Sequence, residues 1–171
     1  MIERLAIVAD DLTGAIDTAG VFASAGMTAH VSLSTSTRSR HSDLEVLCVD
    51  TGTRYVPETE AAARVREETQ ALLSAGRTRL YKKVDSTLRG NVAAETAAIL
   101  EASKAPFAFV APAFPATGRT QRDGVLYVNG TPLANATEGQ DKMAHPATSS
   151  VVELLRRQAS LQCGLVPLAD V

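Results

Sequence analysis

Two adjacent carboxylates, Asp10 and Asp11, end an apolar run and are followed at once by Leu12, Thr13 and Gly14. An aspartate placed there can cap a helix, because its carboxylate accepts a backbone N–H of the first turn and meets the positive end of the dipole. One cap does not account for two acids. Neighbouring side chains leave a strand end in different directions, so one can cap while the other faces a crevice as a base or a magnesium-associated group. Asp17 lies further along and reads as a solvated or supporting residue.

A second cluster runs from Lys82 to Asn91, "KKVDSTLRGN", and gathers two ammonium groups, a guanidinium, a carboxylate and two hydroxyls beside a glycine. That set suits a cradle for a carboxylate or phosphate at a helix N-terminus. Strand residues alternate faces, so Lys82 and Lys83 cannot both point at one ligand unless the strand has ended, and Lys83 and Arg89 are the favoured contacts, with Asp85 and Ser86 between them. A third cluster, Asp50-Thr51-Gly52-Thr53-Arg54, adds a further carboxylate and guanidinium, although a lone exposed arginine is usually just solvated. The fourth, Gly118-Arg119-Thr120, follows the rigid Pro112 and Pro115 and is an anion-binding candidate.

Each cluster follows an apolar run that reads as a strand. Strands are expected at Leu5 to Ala9, His30 to Leu33, Val46 to Val49, Leu80 to Val84 and Phe107 to Val110. Helices are expected from Gly14 to Ala25, from Pro57 to Gly76 and from Asn91 to Ser103. Such alternation with short links predicts an α/β fold, a three-layer Rossmann-like domain with a mostly parallel sheet covered on both faces. In such sheets ligands gather at the carboxyl ends of the strands, which is where all four clusters would lie. From Gly118 onward the composition changes, and Tyr127-Val-Asn-Gly130-Thr-Pro predicts a β-hairpin excursion after the fifth strand, with a short helix over Val151 to Gln158. Leu165 to Leu168 begins a further strand and the chain then stops, as if cut at a domain boundary.

Composition narrows the functional classes. With 171 residues the chain fits one domain, and 45% hydrophobic against 21% charged residues is ordinary globular usage. A net charge of −2 without a basic run disfavours nucleic-acid binding. No stretch is apolar for the ~18 to 20 residues a bilayer needs, and acids stand where a secretory core should continue. A cytoplasmic protein without membrane or nucleic-acid partners is expected. Cys48 and Cys163 are no disulfide framework, and His30, His41 and His145 lack ligand spacing, so no metal is assigned. Neither a G-x-x-x-x-G-K-[ST] loop nor a G-x-G-x-x-G turn is present to hold a nucleotide.

Taken in order, "ADDLTGAID", "KKVDSTLRGN" and "APAFPATGRT" with "YVNGTPL" resemble the N-terminal, sugar-binding domain of the four-carbon acid sugar kinases, formerly a family of unknown function. The resemblance runs across nearly the whole chain, from Ile7 to "GLVPLADV", and implies one domain over residues 1–171. It implies an acid-sugar-binding domain whose C-terminal ATP-binding partner domain is absent from this chain. ATP and Mg2+ are then expected only with that missing domain, and this chain alone is expected to bind small hydroxy acids without turnover. The family phosphorylates threonate, erythronate or 3-oxo-tetronate on the terminal hydroxyl. Carried onto these residues, the resemblance puts Asp10, Asp11 and Thr13 at the crevice with one aspartate as the base or hydroxyl-orienting group, Asp11 being the catalytic candidate and the choice between the two acids left open. Lys83, Asp85, Ser86 and Arg89 line it, and Gly118, Arg119 and Thr120 hold the carboxylate or the incoming phosphate. Asp141-Lys142 replaces the family's Asp-Pro, and "DTGTRY" matches Asp-Thr-x-Ser-Arg loosely; both bear on substrate identity.

Two other readings compete. A non-catalytic binding protein, or one of the type III effector-associated kind, could retain the sugar-binding fold, but no polar, Ser-rich leader precedes the first strand. A haloacid-dehalogenase-like phosphatase also puts aspartates after its first strand. It needs the second acid two residues after the first, and here position 12 is leucine. A homodimer is a possible assembly, formed through apolar surface that the missing domain leaves exposed.

Overall fold

The computed structural model describes residues 4–33, 44–137, 146–159 and 161–167. Strand β1 (Leu5–Ala9) leads into helix α1 (Leu12–Ser24), and β2 (Ala29–Ser32) and β3 (Val46–Asp50) follow. Helix α2 (Glu58–Ser74), β4 (Arg79–Lys83) and α3 (Val92–Ser103) complete the first unit. The four strands form one parallel sheet in the order β2-β3-β1-β4.

Alternation along β1 divides the core in two. Ala6 and Val8 pack with Leu47 and Val49 against Val65, Leu72 and Ala98 of α2 and α3. Ile7 and Ala9 pack with Val46 and Cys48 against Ala15 and Ala19 of α1. Three layers result, as expected of a sheet whose central strands are apolar on both faces. The edge strand β4 departs from that pattern, because Arg79, Lys82 and Lys83 give it a mixed face. Both α1 and α2 stop just before a glycine in the left-handed region, Gly26 and Gly76, as their sequences predict.

The hairpin excursion is a second sheet. Strands β5 (Arg119–Arg122), β6 (Val125–Val128) and β7 (Thr131–Pro132) pair antiparallel. Asp123-Gly124 and Asn129-Gly130 turn them with φ of 49° and 77°, and of 49° and 82°, the left-handed pairs that match strand twist. Leu126, Val128 and Leu133, with Val151, Leu154 and Leu155 of α4 (Val151–Ala159), enclose Leu88, Val92 and Ala93. The second core therefore grips the loop before α3.

Two expected strands do not form among the described residues. Phe107 to Val110 carries no ladder among the described residues, and the parallel sheet has four strands instead of five. Pro106 and Pro112 withhold backbone donors at both ends of this segment. Val110 turns onto the second core, while Phe107 and Phe109 stack edge to face in solvent, 64% and 83% exposed. The segment 165–167 is likewise irregular, and Leu168 lies outside the described residues, as do His41, His145 and Asp141-Lys142. No helix among the described residues is long and apolar enough to cross a membrane.

Candidate functional site

Register brings three loops to one edge. Ala9 of β1 lies opposite Asp50 of β3 and Lys83 of β4, so the residues that follow each strand leave the sheet at the same level. Asp10 is turned inward and only 3% exposed. Arg54 forks onto it, Nε donating to Oδ2 at 2.8 Å and Nη2 to Oδ1 at 3.0 Å. The Thr53 and Arg54 amides donate to the Asp10 carbonyl at 2.9 and 3.2 Å, tying the β3 loop to the end of β1.

Asp11 does two things at once. Its Oδ1 accepts the Gly14 amide at 2.9 Å as the N-cap of α1, and its Oδ2 accepts from Arg54 Nη1. With its side chain 24% exposed, it is also the acid of the pair that reaches the opening. Capping and facing the crevice thus fall to one residue, and Asp10 serves as the buried counter-ion of Arg54. Burial opposes the Arg54 charge, but the fork to Asp10, with the Asp11 and Asp85 charges, raises its pKa above the usual guanidinium range.

Asp85 closes the cluster from the β4 loop. Its Oδ2 accepts the Thr87 amide at 2.9 Å and the Thr87 hydroxyl at 2.5 Å, and Arg89 forks onto it at 3.0 and 2.7 Å. Burial opposes ionisation of this carboxyl, yet the Arg89 guanidinium and the Thr87 donors hold it well below the usual carboxylate range. Arg54 Nη2 stands 3.8 Å from the same carboxylate. Leu88, in the left-handed region at φ 57° and fully buried, anchors the loop in the second core.

Glycines at two positions allow this approach. A Cβ on Gly90, at φ 86°, would lie 2.9 Å from Asp10 Oδ2 and 3.5 Å from the Arg54 backbone. On Gly14 it would lie 2.8 Å from Asp11 Oδ1 and 3.6 Å from Lys83 Nζ, so carboxylate and ammonium flank the same glycine. Lys83 also donates to the Val84 carbonyl at 2.7 Å. Lys82 points the other way and pairs with Glu95 at 2.8 Å, as the alternation of β4 requires.

The structure therefore joins Asp10, Asp11, Arg54, Asp85 and Arg89, with Lys83 beside them. Thr13 is exposed in the first turn of α1, and Ser86 is half-buried while its neighbour Thr87 makes the loop hydrogen bonds. Asp50 accepts the Gly52 amide at 2.9 Å in a local turn. Arg119 and Thr120 open β5 of the antiparallel sheet with Gly118 just before it, and among the described residues no hydrogen bond or ion pair links them to the acid cluster. The expected fifth strand that would have delivered them to the shared edge is not there. Sequence reasoning assigns no role to Gly90, Thr53 or Glu95; Gly90 is legible as the glycine closing "TLRG", while Glu95 is one acid in an Ala-rich helix.

The fold has known counterparts. A family model described as "Sugar-binding N-terminal domain" matches residues 5–171. The chain belongs to this family. It is 48% identical over 168 residues to a D-threonate kinase of Cupriavidus necator, covering 96% of this chain and 39% of the relative. Identity to a D-threonate kinase of Bordetella bronchiseptica is 43% over 169 residues, covering 95% of this chain and 42% of the relative. A crystal structure of a B. bronchiseptica domain of unknown function, with bound citrate and described as a domain-swapped dimer, matches with a TM-score of 0.84 at 43% identity. That match covers 89% of this chain and 39% of the other. The chain of this sugar-binding domain thus spans about two fifths of the length of the curated relatives it matches.

Proposed function

We propose that this sugar-binding domain holds a four-carbon acid sugar of the D-threonate type for phosphorylation by ATP. The observation that carries the reading is the closed set of Asp10, Asp11 and Asp85 against Arg54 and Arg89 at the carboxyl edge of the sheet. Three carboxylates against two guanidiniums and the Lys83 ammonium leave the cluster close to neutral, so a hydroxy acid meets preset donors and acceptors instead of a bare field. Phosphoryl transfer demands alignment more than covalent help from the protein. Asp11 is the acid with access, and a carboxylate oxygen keeps a second lone pair after one hydrogen bond. It orients the terminal hydroxyl and takes its proton as the oxygen attacks the γ-phosphorus and the bond to ADP breaks. Arg89, the more exposed of the two forked arginines, and Lys83 face the substrate carboxylate.

Nucleotide and Mg2+ belong elsewhere in this reading. Among the described residues no group of three His, Cys, Asp or Glu side chains is arranged for a metal, and the crevice acids are already matched by guanidiniums. Assembly as a homodimer is part of the proposal, supported by the swapped dimer described for the B. bronchiseptica relative.

Calorimetric titration of D-threonate, erythronate and 3-oxo-tetronate tests the reading. One acid should bind the wild type and lose about tenfold or more in affinity in Asp11→Asn. Equal binding of all acids by both proteins would overturn the assignment of the crevice.

A further inference from the structure

Behind the crevice, on the side of α2 and α3, lies a second polar cluster that the proposed chemistry does not use. Lys82 and Glu95 form an ion pair at 2.8 Å with side chains 10% and 1% exposed. The other oxygen of Glu95 accepts the Thr53 hydroxyl at 2.5 Å. Thr53 Oγ1 also lies 2.7 Å from Thr51 Oγ1, and the Thr51 hydroxyl donates to the Ala9 carbonyl at 2.8 Å. Asn91 Nδ2 donates to the carbonyls of Thr53 and Val56, both at 3.0 Å.

Each of these hydrogen bonds has an end on the segment that carries Arg54. A buried ion pair adds little net stability over well-packed apolar residues, so energy of folding alone gives no reason to keep one here. Its geometry offers a different reason. Thr53 immediately precedes Arg54, and its amide and that of Arg54 both meet the Asp10 carbonyl. Any slip of Thr53 displaces the guanidinium from Asp10 and Asp11 together.

We infer that Glu95 is a positioning residue for the acid-binding crevice: held by Lys82, it fixes Thr53 and so sets the fork of Arg54 onto Asp10 and Asp11. The inference rests on reading that crevice as the substrate site. Glu95 touches no reacting atom, and it acts through the acceptor oxygen that it offers the Thr53 hydroxyl.

The test compares two charge-free double variants. Lys82→Met with Glu95→Leu removes the acceptor, whereas Lys82→Met with Glu95→Gln restores an oxygen for Thr53. Thr53→Val and Thr53→Ser ask the same question from the other partner, without disturbing the buried charges. Two quantities are read: hydrogen exchange of the Arg54 Nε–H resonance without ligand, and D-threonate affinity, with thermal melts establishing that each variant is folded. Thr53→Val and the Leu double variant should speed Arg54 Nε–H exchange and weaken binding about tenfold, while Thr53→Ser and the Gln double variant stay within about twofold of wild type. An Arg54 resonance unchanged in Thr53→Val and in the folded Leu double variant would overturn the inference. So would equal loss in both double variants, which assigns the effect to the charge pair and not to the acceptor. Absence of threonate binding by the wild type would count against the proposed function alone, since the Arg54 resonance is read without ligand.

Discussion

Arg54 and Arg89 stand at the edge of the parallel sheet with their guanidiniums forked onto Asp10 and Asp85, whereas among the described residues Arg119 on the antiparallel sheet donates to the Thr117 carbonyl and meets no carboxylate. The Arg119 Nε is buried with no hydrogen-bond partner among the described residues. All three arginines follow strand-like sequence near a glycine, yet only two are held by carboxylates. The difference lies in what surrounds them. At the parallel edge three loops converge in register, so each charge finds its partner within the fold before any ligand arrives. On the hairpin, pairing between β5 and β6 fixes the backbone and leaves the side chain to local contacts. Preorganised groups are the ones that can align a hydroxyl and a carboxylate without paying for their own ordering.

Substitution of the two kinds of arginine gives the largest contrast. Arg54→Met strands the buried Asp10 and should cost about 3–5 kcal/mol in chemical denaturation. Arg119→Met should fall within about 0.5 kcal/mol of wild type, and equal costs would show that the carboxylate partners do not set the two kinds of arginine apart. Leu88→Ala asks whether the second core serves the crevice through the Asp85 loop. It should lose about 2–5 kcal/mol and loosen that loop, visible as faster amide exchange at Asp85 to Arg89. Gly90→Ala forces a Cβ against Asp10 Oδ2 at a positive φ, and about 1–3 kcal/mol of destabilisation is expected from its melting curve.

The smallest expected effect is one of pH. Asp85 titrates lower in the folded chain than in the unfolded one, so it stabilises the fold fully above the ordinary carboxylate pKa of about 4. That contribution is lost as pH falls below this value. Urea midpoints followed from about pH 6 to pH 3 should drop less steeply in Asp85→Asn than in wild type.

Much of the parallel edge was legible from residue order. The apolar runs of β1 and β3, the glycines after α1 and α2, and the alternation separating Lys82 from Lys83 each follow from local rules. Two features did not follow from them. Arg54 reads locally as a solvated arginine, and its burial depends on the chain returning β3 beside β1, which brings it to an aspartate 44 positions earlier in sequence. Phe107 to Val110 has the composition of a strand, but strand formation depends on a partner edge that composition does not encode. The expected position of Gly118-Arg119-Thr120 at the shared edge was inherited from that strand, and among the described residues no hydrogen bond joins them to the acid cluster. Asp11 was ambiguous between cap and crevice because its two oxygens serve different partners, which only geometry separates.

Amide-resonance mapping with D-threonate tests the central claim most directly, since it reads both regions in one titration. The account predicts shifts at Asp11, Thr13, Arg54 and Asp85 to Arg89, with Gly118 to Thr120 unmoved. Shifts confined to the hairpin, or none at saturating acid, would contradict it.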